Sequence, residues 1–292
     1  MTALLYWIII KPISLLPYPV LYALSDFFFV VLYYLIPYRK KVVMKNIDMA
    51  LPELSEQERK EICRKFYRHF CDLVLESLKN FSISAESAQK RMVSINPEVM
   101  NAYAERGQAV ILVGGHYCNW ELWAVAAPQK LQHKVLAIYK RLSNAFFDEK
   151  MRETRGKFGL HLVATKKTAE YFKNNMNEVN ATVFAIDQSP ANPEKCVWIQ
   201  FMGIETATYF GAEKYAKELN RPIIYGFLEK VKRGHYTVRY ESVVENPLEW
   251  EHGAITQHVN TILEQEIRRQ PELWLWSHKR WKHRKSTTIN QS

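Results

Sequence analysis

His116 and Glu121 stand in the segment VILVGGHYCNWELW, an imidazole and a carboxylate five positions apart just after a Gly-Gly pair. A neutral imidazole accepts a proton near physiological pH, and a carboxylate beside it fixes the tautomer and stabilises the imidazolium. On one continuous helix two such side chains diverge, because helical neighbours sit three or four apart. A turn at Gly114-Gly115 releases His116 from the helical screw, and glycine there lets another group approach the backbone closely. The expected chemistry is general-base catalysis, with His116 as base and Glu121 as its orienting partner. Cys118 on the same turn supports an alternative, a thioesterase or hydrolase in which its thiol attacks and His116 activates it. A structural histidine beside an N-terminal helix carboxylate has the same spacing, so the pair alone leaves the function open.

The surrounding elements favour a site. Ala109–Val113 reads AVILV, a compact apolar run expected as a buried parallel strand, and Asn119 is placed to cap a helix running to Pro128. Further strands are expected at Val135–Tyr139, Thr182–Ile186, Pro222–Leu228 and Tyr236–Tyr240. Helices are expected near Pro97–Arg106, Phe147–Phe158, Thr208–Leu219 and Ala254–Arg269. A long helix starts with the capping box Ser55-x-x-Glu58 and runs to about Asn80, with Ile62, Phe66, Phe70, Leu73 and Val74 at helical spacing. This alternation predicts an α/β fold with a largely parallel central sheet flanked by helices. In such sheets ligands bind outside the carboxyl ends of the strands, where His116 falls.

Composition narrows the partners. The 292 residues carry 40 Lys+Arg against 30 Asp+Glu, a net charge of +10 that favours anionic lipid headgroups, an acidic carrier protein or nucleic acid. Cys63, Cys71, Cys118 and Cys196 lack metal-ligand spacing, and so few cysteines in so long a chain argue for free thiols in a reducing compartment. Residues 1–36 hold only Lys11 and Asp26 as charges, and Arg39, Lys40, Lys41 and Lys45 follow at once. The segment lacks the basic start and small-residue cleavage site of a secretory signal. It is expected to associate with a membrane, either as a span from Val20 to Ile36 or as a broken interfacial anchor, with the basic flank cytoplasmic. Near the C-terminus, Trp274, Trp276 and Trp281 alternate with Lys279, Arg280, Lys282, Arg284 and Lys285. That pattern suits single-stranded nucleic acid or a membrane interface, and the apolar N-terminus favours the membrane, so no nucleic acid is expected.

GGHYCNWE resembles the His-x4-Asp/Glu block of the glycerolipid-type acyltransferases. More specifically it resembles that of the bacterial lipid A biosynthesis (late, or secondary) acyltransferase family, where an H-x-G-N-W-E string is characteristic and Cys118 replaces the usual glycine. YKRLSN with the downstream RGKFG resembles that family's second block and contributes Asn144, Arg155 and Gly159. AIDQ contributes Asp187 and Gln188. FMGIETATYFGAEKYAKELNRPIIYGF places Thr208 at a helix start, and PELWLWSHKRWK resembles the closing signature.

The resemblance implies O-acyl transfer from an acyl thioester, on acyl carrier protein or coenzyme A, to a hydroxyl of a lipid A precursor, without cofactor or metal. A phospholipid or amino-acid lipid is the alternative acceptor. His116 and Glu121 are the implied catalytic residues, and Asn144, Arg155, Asp187, Gln188 and Thr208 the implied substrate-binding ones. The planar fork of Arg155 suits a phosphate of either substrate. The implied organisation is a membrane anchor over 1–45, an acyltransferase domain over 46–285 and a polar tail over 286–292. The implied location is the cytoplasmic face of a bacterial inner membrane.

Overall fold

The computed structural model describes residues 2–285, apart from the side chain of Lys195, so the expected tail over 286–292 lies outside the described residues. Two apolar helices open the chain, α1 (Thr2–Leu15) and α2 (Tyr18–Leu35), separated where Pro17 ends the first and caps the second. Next come α3 (Lys40–Ala50) and α4 (Glu56–Lys79). The Ser55–Glu58 capping box forms at the start of α4: the Ser55 side chain accepts from the Glu58 N–H, and Glu58 accepts from the Ser55 N–H.

The chain then alternates as α5 (Ala85–Arg91), β1 (Met92–Ser94), α6 (Pro97–Glu105), β2 (Val110–Gly114), α7 (Trp120–Ala126), β3 (Lys134–Tyr139) and α8 (Ala145–Gly156). It continues with β4 (Leu160–Ala164), α9 (Thr168–Asn174), β5 (Asn180–Ala185), β6 (Val197–Phe201), β7 (Ile204–Thr208), α10 (Gly211–Glu218), β8 (Ile223–Lys232), β9 (His235–Val244) and α11 (Ala254–Arg269).

Seven strands form one sheet in the order β1-β9-β8-β2-β5-β3-β4. The run β8-β2-β5-β3-β4 is parallel, while β9 is antiparallel to β8 and β1 parallel to β9. The expected largely parallel sheet between helices is therefore present. β2 lies inside it, and Val110, Ile111, Leu112 and Val113 are all essentially buried, which explains an unbroken apolar run rather than an alternating one.

Two expectations need correction. Thr208 does not start a helix; it ends β7, and the following helix begins at Gly211. β6 and β7 form a separate antiparallel hairpin across Met202-Gly203, both at positive φ (56° and 73°), as a tight two-residue hairpin turn requires. The tryptophans of the C-terminal segment are not an interfacial row either. Trp274 and Trp276 are buried, Arg280 is buried with them, and each indole N–H has an internal acceptor: Asp187 for Trp274, the Pro271 carbonyl for Trp276 and Thr206 for Trp281. An indole satisfied inside the fold has no reason to seek the headgroup layer.

The N-terminal helices behave differently. α2 is long and apolar enough to cross a membrane, yet only 17% of its span is buried: Leu21, Ser25 and Phe29 turn inward, while Val20, Phe27, Val30, Tyr34 and Leu35 are exposed. Its inner face packs along α4 through polar contacts: Tyr22 donates to Glu76 at 2.9 Å and Ser25 to Asp72 at 2.7 Å. Asp26 pairs with Arg233 of the β8–β9 turn, and Arg233 also forks onto Asp72. The charge inside the apolar run thus points at protein.

Candidate active site

Register brings the site together. β2 and β5 are adjacent and parallel, with Gly114 opposite Ala185. Continuing each strand by two residues places His116 beside Asp187. The imidazole Nδ1 lies 2.7 Å from Asp187 Oδ1, and the His116 backbone N–H donates to Oδ2 at 2.8 Å. The Trp274 indole N–H donates to that same Oδ2 at 2.8 Å. An ionised carboxylate only accepts, so Nδ1 carries the proton and Nε2 keeps its lone pair. Nε2 meets the Gln188 side-chain amide at 3.1 Å, which donates to it in this arrangement. Trp120 packs edge-on against the imidazole, with ring centroids 5.1 Å apart.

Glu121 is not the partner that orients His116; Asp187 holds that position. Glu121 lies on the first turn of α7, where a carboxylate is favoured by the helix dipole, and there it faces α8. Its two oxygens take the fork of Arg155, Nε–Oε2 at 3.0 Å and Nη2–Oε1 at 2.5 Å. Arg155 accordingly spends its planar fork on a protein carboxylate rather than presenting it whole to a phosphate.

Burial opposes an imidazolium at His116, but the Asp187 charge and hydrogen bond, with a contribution from Glu121, outweigh it and raise the pKa. Burial likewise opposes the charge on Asp187, and the imidazole, Trp274 and the His116 N–H more than compensate, so its pKa is lowered. The pair therefore exists as carboxylate beside a base of strengthened proton affinity.

The turn itself is clamped from the C-terminal segment. Cys118 N–H donates to the Leu273 carbonyl at 2.9 Å, Leu275 N–H donates to the His116 carbonyl at 3.2 Å, and Tyr117 pairs with Trp274 in a strand-like bridge. Cys118 sits at φ +56°, a conformation natural to glycine. Its side chain is fully buried, and burial pushes its thiol strongly up, which removes the thiolate that the Cys118-nucleophile alternative requires. Gly115 is glycine for a packing reason: a Cβ there would fall 2.7 Å from Leu263 Cδ1 on α11. The close approach is made by the fold's own helix rather than by substrate.

The remaining expected residues have structural contacts. Asn144 caps α8, its Oδ1 accepting from the Phe147 N–H at 3.1 Å. Thr208 accepts from the buried Arg280 at 2.6 Å, while Arg280 also donates to the Ala207 carbonyl at 2.6 Å. Burial lowers the Arg280 pKa to about 10, with Asp187 pulling the other way. Sequence reasoning missed Trp274 as a donor to Asp187 and Arg280 as a buried charge. The interleaved Trp/Arg pattern that flags this segment gives no sign of which side faces inward.

The bacterial lipid A biosynthesis acyltransferase family model matches residues 1–283. A lipid A biosynthesis lauroyltransferase of Escherichia coli is 21% identical over 281 residues, covering 95% of this chain and 89% of that protein. A lipid A biosynthesis acyltransferase of Haemophilus influenzae is 22% identical over 288 residues, covering 96% and 91%. With the match spanning nearly the whole chain, this protein belongs to the bacterial lipid A biosynthesis acyltransferase family and is an O-acyltransferase.

Proposed function

We propose that this protein moves a fatty acyl chain from acyl carrier protein to a hydroxyl of a lipid A precursor, at the cytoplasmic face of a bacterial inner membrane. The observation that carries the reading is the 2.7 Å contact between His116 Nδ1 and Asp187, which leaves Nε2 as the base nitrogen. The acceptor hydroxyl displaces the Gln188 amide and gives its proton to Nε2. Its oxygen attacks the thioester carbonyl carbon, forming a tetrahedral oxyanion. The C–S bond then breaks, the acyl group stays on the acceptor oxygen, and the imidazolium returns the proton to the departing thiolate.

Asp187 stabilises the imidazolium as it forms. Glu121 adds negative charge on the same side, held in place by Arg155. The Gln188 amide, once displaced from Nε2, is free to donate to the developing oxyanion. The apolar faces of α1 and α2, with Trp7, Ile8, Leu15 and Phe27 exposed, supply the membrane contact. Because α2 is docked on α4 through Tyr22 and Ser25 and on the β8–β9 turn through Asp26, interfacial binding suits it better than a free span.

Purified protein incubated with acyl carrier thioester and lipid A precursor should yield the acylated lipid by mass spectrometry. His116→Ala should lower the rate by about a thousandfold; full activity in that variant would end the proposal. Lipid mass spectra from cells with and without the protein would identify acceptor and chain length together.

A further inference from the structure

Glu76 is a buried carboxylate that the acyl-transfer steps do not use. It sits on α4, 5% exposed, and accepts from groups on separate elements. The Tyr22 hydroxyl of α2 donates to Oε1 at 2.9 Å, the Tyr236 hydroxyl of β9 to Oε2 at 2.9 Å, and the Asn119 side-chain amide to Oε2 at 2.5 Å. Asn119 is fully buried, and its Oδ1 accepts from the Leu122 N–H at 2.9 Å, so it caps α7. That helix carries Glu121, and the residues leading into it are His116, Tyr117 and the left-handed Cys118.

A left-handed non-glycine turn persists only where its surroundings determine it. Here the restraints include the Cys118 N–H on Leu273, the Cys118 carbonyl beside His69 Nε2, and the Asn119 amide on Glu76. The last of these shares its acceptor with α2. Burial raises the Glu76 pKa to about 7, against the lowering effect of the Tyr236 and Tyr22 hydroxyls, as expected where one dry carboxylate depends on its donors.

We propose that Glu76 is a positioning residue for acyl transfer: by holding Asn119 it fixes the His116–Glu121 turn, and it ties that turn to the seating of the apolar helix α2. The kinetic half of this statement rests on the acyl-transfer reading above.

The test uses the full chain and two readouts. One is kcat against KM for acyl carrier thioester; the other is the rate at which N-ethylmaleimide labels Cys118, followed by peptide mass spectrometry below the melting temperature. Glu76→Leu keeps much of the volume and removes the acceptor. It should lower kcat about tenfold with the donor KM little changed, and label Cys118 about tenfold faster. Glu76→Gln keeps an acceptor oxygen and should restore both readouts to near wild type. Tyr22→Phe, which removes only the α2 hydroxyl, should fall between them.

Glu213→Gln is the control for general destabilisation. Glu213 is equally buried and caps the start of α11 by accepting from Gly253 and Thr256. At matched loss of melting temperature it should leave Cys118 protected. Unchanged protection of Cys118 in Glu76→Leu, or equal loss of protection in Glu213→Gln, overturns the proposal. If the wild type transfers no acyl group, the acyl-transfer reading fails, while Cys118 labelling still decides whether Glu76 holds the turn.

Discussion

Residues 2–36 and residues 271–285 are both aromatic-rich and nearly free of acidic groups, yet they occupy opposite sides of the solvent boundary. In the first, Trp7, Ile8, Phe27 and Leu35 face outward, while Tyr6, Leu21 and Phe29 are buried and the polar groups of Tyr22, Ser25 and Asp26 turn to α4 and Arg233. In the second, Trp274, Trp276 and Arg280 are interior, and the charges that remain outside include Lys285, paired with Glu205. The difference lies in where the polar atoms find partners. Each C-terminal indole N–H has an acceptor within the fold, and one of those acceptors is Asp187 of the candidate site. An apolar helix with its few polar side chains satisfied on one face is left with a dry opposite face, which suits a lipid surface. One end of the chain therefore packs against the candidate site, and the other leaves an apolar face turned outward.

The sharpest way to break this contrast is at Asp187, where the C-terminal segment meets the base. Asp187→Asn should lower kcat by about ten thousandfold, because an amide cannot hold the same imidazole tautomer or stabilise the imidazolium. His116 must be neutral to act, and its raised pKa puts the acid limb of kcat/KM above the ordinary imidazole range. Losing the Asp187 charge should move that limb to lower pH; an unmoved limb would show that Asp187 does not set the base.

Releasing the membrane face comes next. Trp7→Ser, Ile8→Ser and Phe27→Ser combined should cut binding to anionic vesicles about a thousandfold or more, at roughly 1.5–3 kcal/mol per buried large side chain. The melting temperature should stay near wild type because these residues are exposed. A large fall in melting temperature would make the N-terminal face a core surface like the C-terminal one.

Trp274→Phe should then lower kcat about tenfold, the worth of one hydrogen bond to a charged acceptor, with vesicle binding unchanged. Reduced vesicle binding would return Trp274 to the interface. Glu121→Gln should have the smallest effect, at most about tenfold on kcat, since it removes a charge near His116 but keeps an acceptor for Arg155. A shift of the acid limb to lower pH, smaller than that in Asp187→Asn, would confirm its electrostatic rather than orienting part.

Periodicity and capping made much of the scaffold legible. The Ser55–Glu58 box, the AVILV strand, the Asn119 cap and the long C-terminal helix follow from local patterns that tertiary contacts reinforce. β1, β4, β6 and β7 were not read, because short strands carry little periodic signal. His116 was legible as a candidate base from its type and its place after a buried strand. Asp187 was read as a strand-end and substrate-binding residue, and its 71-position separation from His116 hides the contact.

By itself the sequence determined the composition of the site: an imidazole after Gly-Gly, carboxylates at Glu121 and Asp187, and an arginine on a nearby helix. Only the tertiary structure decided which carboxylate contacts the imidazole. Placing β5 beside β2, with Gly114 opposite Ala185, makes Asp187 the neighbour of His116, while the start of α7 turns Glu121 toward Arg155. Strand order and register arise from long-range burial of whole faces, which no local spacing encodes.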